Sequence, residues 1–299
     1  MGAPCFTNAD DALAGRILLG LAMKTPGPIF VTELFPKLNA ELQELLCSLE
    51  DEDWKRPATG VWSVKDVLAH LLDTTLRRLA VDRDQYVSLD TPKLQTDRDP
   101  TNYINQTNAE WVKAARRLSP RLLIELLEKV GQEMYEFFKT LDPYKTAIFP
   151  VSWAGEQVSP NWFDIAREYT EKWHHQEQIR EAVHRPGLTS REYLFPVLDT
   201  FMRALPHVYR NVRAVEETLI KTEITGPAGG DWFLIRKQDR WELWLGVEEK
   251  PKATVRMPQD VAWKLFTKGL EKSSAERRMS FKGTKELGRQ ILDMICIIG

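Results

Sequence analysis

The chain has 299 residues, 43% hydrophobic and 28% charged, with a formal net charge of -2 and a pI near 6.3. That length suggests two domains, the composition excludes disorder over most of the chain, and the near-neutral charge gives no general attraction to phosphate backbones or anionic lipid. Neither nucleic acid nor a membrane is an expected partner. Cys5, Cys47 and Cys296 are odd in number and far apart, which excludes a disulfide framework and a paired-cysteine zinc knuckle and fits a reducing cytoplasm.

Residues 12–23 are fairly apolar, but Asp10, Asp11 and Arg16 interrupt them and no basic region precedes them. A bilayer span needs roughly 20 apolar residues, so this segment reads as a short helix or frayed end within an extension over 1–28. Val31, Leu34, Phe35, Leu38, Leu42, Leu45 and Leu46 recur at helical spacing and predict a helix over 31–49. Ser63, followed three positions later by Asp66, is an N-cap signal for a second helix over 64–81. A polar loop at about 90–100 leads to helices over 103–118 and 121–141, parted at Ser119-Pro120. After an irregular stretch over 143–160, helical periodicity resumes over 161–183 and stops at His184-Arg185-Pro186-Gly187. One more helix, 191 to about 212, closes an all-α domain over 29–213.

The pattern then changes. Strands are predicted over 218–225, 232–236 and 240–245, with Gln238-Asp239 placed to turn a hairpin. A strand over 253–257 meets a helix over 259–269, and a strand over 279–281 meets a helix over 284–296. These elements predict a smaller α+β domain over 214–299, its helices on one face of a largely antiparallel sheet.

Only five histidines occur in the chain, and three of them fall on two of the predicted helices. Glu171 and His175 are four residues apart, so both side chains lie on one helix face about a turn apart. Asp164, Glu171, His175, Gln178 and Ala182 form one stripe, with Trp162, Tyr169 and Trp173 opposite. Periodicity alone favours an ordinary surface helix over a site wall. On the preceding helix Asp66, His70, Asp73 and Arg77 recur along one side, which is a site wall or a solvated edge.

The segment Trp62-Ser63-Val64-Lys65-Asp66-Val67-Leu68-Ala69-His70-Leu71-Leu72-Asp73 resembles the first metal-binding segment of DinB-like proteins, in particular the mycothiol-dependent maleylpyruvate isomerase group. Glu171-Lys172-Trp173-His174-His175-Gln176-Glu177-Gln178-Ile179-Arg180 resembles the second segment of that group. The resemblance spans roughly residues 29–186 and implies a four-helix bundle whose interior holds a divalent ion, commonly zinc. Carried over by motif position, the implied ligands are His70, Glu171 and His175. Such a set suits zinc and leaves a position open. His174 lies about 60° off the Glu171 axis and is expected beside the ligand set or toward solvent.

The C-terminal part more weakly resembles the sterol-carrier-like domain that follows the bundle in that group, through Trp241-Glu242-Leu243-Trp244-Leu245-Gly246, Ala262-Trp263-Lys264-Leu265-Phe266-Thr267 and Gly283-Thr284-Lys285-Glu286-Leu287-Gly288. That resemblance implies either a cover over the metal cleft or a shelter for an apolar ligand. Trp232, Trp241, Trp244 and Trp263 would otherwise fill a small core.

Together these readings imply a metal-dependent, thiol-using isomerase or S-transferase, with mycothiol or another small thiol as cofactor and an electrophile as substrate. It would act as a monomer or homodimer. The alternative is a non-catalytic metal-containing protein whose C-terminal domain binds an apolar ligand. Arg77, Arg180, Arg236 and Arg240 are candidates for an acidic substrate by charge alone, and none of the three cysteines stands in a setting that suits a nucleophile.

Overall fold

The computed structural model describes residues 23–86 and 99–297. The helix or frayed end expected over 12–23 and the loop expected at about 90–100 lie almost wholly outside these residues.

Helix α1 (Phe35–Cys47) buries Phe35, Leu38, Leu42, Leu45 and Leu46, the apolar stripe read from the sequence. A short hairpin, β1 (Pro57–Thr59) and β2 (Trp62–Ser63), then feeds directly into α2 (Val64–Arg78). Ser63 caps α2: its Oγ accepts from the Asp66 amide at 3.3 Å, and the Asp66 carboxylate accepts from the Ser63 amide at 3.1 Å. The helix ends in a π-helical turn over Leu79–Arg83. Helices α3 (Asp99–Ala115) and α4 (Pro120–Thr140) are parted at Ser119, whose side chain caps α4. Helix α5 (Asn161–Ala182) follows the irregular stretch, as expected. Helices α4 and α5 each pack against both α1 and α2, while α3 lies against α2.

The single helix expected from 191 to about 212 is two, α6 (Arg191–Met202) and α7 (Leu205–Val208). Pro206 explains the break. It has no amide proton to give the carbonyl four residues back, and its ring would collide with that carbonyl.

Five strands follow: β3 (Leu219–Thr225), β4 (Gly230–Lys237), β5 (Arg240–Trp244), β6 (Ala253–Pro258) and β7 (Ser280–Gly283). Their order in the sheet is β5-β4-β3-β6-β7, antiparallel except for the central β3–β6 pair. Gln238 turns the β4–β5 hairpin at a φ of 33°. Helix α8 (Gln259–Phe266) is shorter than expected and stops before Lys268, which takes a left-handed φ of 60°. Helix α9 (Lys272–Arg277) was not legible in the sequence. The expected helix over 284–296 is α10 (Lys285–Arg289) with a 3-10 turn (Gln290–Asp293), after which the chain extends and the Cys296 amide bonds to the Phe266 carbonyl.

Alternation along the strands gives the sheet two unlike faces. One carries Ile220, Ile224, Trp232, Leu234 and Val255 into the main core, and the other carries the small cluster Leu219, Phe233, Ile235 and Val247. The main core is continuous from α1 to the sheet. Tryptophans seal the seam between the helical and sheet-containing parts. Trp232 stacks on Phe195 of α6 and donates to Asp199 at 2.8 Å, Trp241 meets Tyr209 and donates to the Val212 carbonyl, and Trp263 sets its edge on Trp173 of α5 at 5.3 Å. Three of the four tryptophans expected to fill a core private to the sheet are therefore shared with the helices. Residues just after the N-terminal extension also bridge the parts, since Lys24 exchanges two backbone hydrogen bonds with Leu245.

Candidate metal centre

Helix α2 carries His70, and its N-terminus is held firmly. The guanidinium of Arg116, from just beyond α3, grips Asp66 with two bonds of 3.0 Å. Burial alone would raise the Asp66 carboxyl, but these bonds and those from Ser63 hold it below the usual carboxylate range. About one turn along α2 from Asp66, the His70 ring lies between Trp62, at 4.9 Å between centroids, and His175, at 4.7 Å.

Helix α5 carries the remaining predicted ligands, and it is not a surface helix. Both its polar and its aromatic faces are buried, including Asp164, Glu168, Lys172, His174, His175, Gln176, Glu177 and Arg180. Its start is fixed by Asp164, which forms an ion pair with Arg78 at 2.6 Å and accepts from Arg167 at 2.7 Å. Its rotation is fixed by Trp173, whose indole donates to the Leu188 carbonyl at 3.0 Å while its face meets Trp263. Thus α5 can turn neither Glu171 nor His175 away from α2.

The ligand atoms of Glu171, His174 and His175 all lie within 4.8 Å of one another. His175 Nε2 stands 3.6 Å from Glu171 Oε2. The structure brings all three predicted ligands to one cleft of about 600 Å³, also lined by Trp62, Arg77, Asn108 and Arg167 on the helical side and by Thr267, Lys268 and Gly269 on the other. Of the two places expected for His174, the structure gives the one beside the ligand set and not the one toward solvent: that ring is only 3% exposed, lines the cleft and packs against His175 at 4.7 Å. The cleft is wide enough to receive two side chains separated by roughly 100° on one helix, so an angular offset from Glu171 does not exclude His174.

The electrostatics favour uncharged imidazoles. Burial pushes His175 down to about 4, and holds His70 and His174 well below the ordinary histidine range, with the neighbouring rings adding to the effect. Burial also pushes the Glu171 carboxyl up to about 7, against the pull of Arg167. Neutral imidazole nitrogens and a carboxylate oxygen are the donors zinc prefers. Two such donors about 2.0–2.1 Å from a tetrahedral ion lie about 3.3–3.4 Å from each other, close to the 3.6 Å between His175 Nε2 and Glu171 Oε2. His70 Nδ1 is buried with no hydrogen-bond partner. Glu171, His174 and His175 therefore fit a divalent ion, whereas His70 lines the same cleft without being among the three residues whose ligand atoms cluster.

Of the arginines singled out by charge, Arg77 lines the cleft, where its Nη2 donates to Asn108 at 2.6 Å and pairs with Asp73 at 3.0 Å. Arg180 instead ties α5 to Glu41 and the Pro186 carbonyl, Arg236 lies over Trp241, and Arg240 pairs with Glu242 at the surface. Cys47 is exposed and Cys296 buried, and neither lines the cleft. Arg167, Glu168 and the turn over 267–269 had no signal in the sequence that set them apart from structural residues.

Residues 35–180 match the family model described as the mycothiol maleylpyruvate isomerase N-terminal domain. That segment belongs to this family. It runs from α1 nearly to the end of α5 and contains His70, Glu171 and His175. Two solved structures are similar to the chain: a histidine-to-alanine mutant of the mycothiol-dependent maleylpyruvate isomerase, at 10% identity and a TM-score of 0.47, and the mycothiol-dependent maleylpyruvate isomerase, at 10% identity and 0.44. Each comparison covers 78% of this chain and 86% of the other. No curated protein matches the chain. Among the described residues, no helix is long and apolar enough to cross a membrane.

Proposed function

We propose that this protein is a thiol-dependent isomerase of the maleylpyruvate isomerase kind, in which His70, Glu171 and His175 hold a divalent ion, zinc by the chemistry of the donors. The bundle would comprise α1, α2, α4 and α5 within a DinB-like domain over 29–213. A sterol-carrier-like domain over 214–299 would supply the other wall of the cleft. The observation that carries this reading is the convergence of the motif residues of α2 and α5 in a cleft between the two parts.

A thiol cofactor such as mycothiol would supply a reversible nucleophile for cis-to-trans isomerisation of a conjugated double bond, and a divalent ion would favour its thiolate form by Lewis acidity. The chain's own residues do the rest. Trp62, Trp153 and Ile297 line the cleft and limit water. Arg77, steadied by Asn108 and Asp73, presents a fixed positive charge suited to a substrate carboxylate. The non-catalytic alternative has less support, because Trp232, Trp241 and Trp263 are buried and packed against Phe195, Tyr209 and Trp173 of the helical part.

The test is isomerisation of maleylpyruvate followed by absorbance, with and without mycothiol, using zinc-loaded and metal-free protein. Turnover that needs both thiol and metal, and that disappears in His175→Ala, is expected. Turnover indifferent to the thiol, or none with every component present, sinks the assignment.

A further inference from the structure

Helix geometry places His174 and His175 side by side at the cleft, so position along α5 does not decide which ring serves as ligand. Gln178 does distinguish them, because its amide touches both. Its Oε1 lies 2.8 Å from His175 Nδ1, and its Nε2 lies 2.9 Å from His174 Nε2. Among the described residues, no other hydrogen-bond partner reaches either ring, and His174 Nδ1 is buried without one.

An amide has one end that only accepts and one end that only donates, whereas a neutral imidazole has one nitrogen of each kind. With Oε1 against His175, the Nδ1 of that ring carries the proton and donates it, leaving the lone pair on Nε2. With the amide nitrogen donating to His174, Nε2 of that ring accepts and its proton sits on Nδ1. The Glu171 side agrees. A protonated His175 Nε2 would donate to Glu171 Oε2 at ordinary hydrogen-bond length, but the 3.6 Å observed is longer than such a bond. The reversed amide would exchange the roles, putting a proton on His175 Nε2 and freeing the lone pair of His174 Nδ1.

We propose that Gln178 is a positioning residue that selects His175 over His174 as the metal ligand by fixing the tautomers of both rings. This rests on the metal reading above. A hydrogen bond to the far nitrogen of a ligating histidine is the usual device for setting its tautomer and basicity. Here a single amide would set one ring to ligate and its neighbour to abstain.

The test uses the full chain, metal-free and labelled with 15N in histidine, so that long-range proton–nitrogen correlations show which nitrogen of each ring is protonated. The wild type is expected to carry the proton on Nδ1 in both His174 and His175. Zinc affinity is then measured by competition with a chromophoric chelator, with thermal unfolding as a check of folding. Gln178→Leu, which removes both bonds, is expected to mix the tautomers and weaken zinc binding by about 10–100-fold. Gln178→Glu still accepts from His175 but cannot donate to His174. It is therefore expected to keep the His175 tautomer and the wild-type affinity while moving the His174 proton to Nε2. A proton on Nε2 of His175 in the wild type overturns the proposal, as does a folded Gln178→Leu protein that binds zinc as tightly as wild type. Failure of every form to take up zinc, with the tautomers as expected, overturns the metal reading instead.

Discussion

Helix α5 and strand β3 both run through the interior, yet they bury opposite kinds of side chain. Helix α5 buries two histidines, a lysine, an arginine and several carboxylates, whereas β3 buries Leu219, Ile220, Ile224 and, as its one polar residue, Thr222. Among the described residues from 214 onward, the buried polar side chains are Thr222 and Thr267. Burying a charge costs several kcal/mol unless it is paired, so a helix that buries so many must either partner them or use them. Most are partnered: Asp164 with Arg78 and Arg167, Glu168 with Arg167, Lys172 with Thr75, Glu177 with the Leu188 amide, Arg180 with Glu41. The unpartnered imidazole nitrogens, His174 Nδ1 and His70 Nδ1, belong to residues of the cleft. The contrast teaches that polar burial in the helical part divides into a paired scaffold and a site that the scaffold holds in place.

The sharpest way to break that contrast is to remove one partner from the scaffold. Asp164→Ala leaves Arg78 and Arg167 facing each other with their shared carboxylate gone. It is expected to cost about 3–5 kcal/mol in denaturant unfolding. Replacing Arg78 by Met in the same chain should recover part of that loss. A loss below about 1 kcal/mol would mean that the network is not holding α5.

A smaller effect separates the site from the scaffold by pH. The Glu171 carboxyl sits at about 7 in the folded metal-free protein against an ordinary value of 4.5. Between those values the folded form holds a proton that the unfolded chain has released, so stability from this group is full below 4.5 and is lost as pH rises through 7. Metal-free Glu171→Gln should therefore gain on wild type across this window. The gain is on the order of 1–2 kcal/mol once solvent screening of its partly exposed side chain is allowed for. A difference in stability that stays constant with pH would contradict the placing of Glu171 in an apolar setting.

The smallest effect belongs to the sheet. Ile220→Val, at a fully packed position of β3, should cost about 0.5–1.5 kcal/mol by the same unfolding measurement and leave metal uptake unchanged. A change in uptake would show that the sheet's core and the cleft are not separable.

The sequence revealed the helices with strong apolar stripes and the hairpin at Gln238-Asp239, because burial on one side leaves a period that can be counted. It misled at α5. A polar stripe opposite an aromatic one has the same period whether it faces water or a cleft, so Glu171 and His175 could be separated from a solvated face only through the family motif. His174 was set aside on an angle that holds for a single ligand axis and fails for a cleft wide enough to take both rings. The break between α6 and α7 could have been read from Pro206, which the expectation of one helix from 191 to about 212 passed over. Strands β1 and β2 are too short to show a period at all, and so the hairpin that places Trp62 against His70 went unread.

The most direct test of the central claim is equilibrium dialysis of metal-free protein against zinc, with wild type beside His70→Ala, Glu171→Gln, His174→Ala and His175→Ala. One zinc per chain is expected in wild type and in His174→Ala, with tight binding lost in the other three. Wild type that takes up no zinc, or uptake that depends on His174 and not on His175, would contradict it.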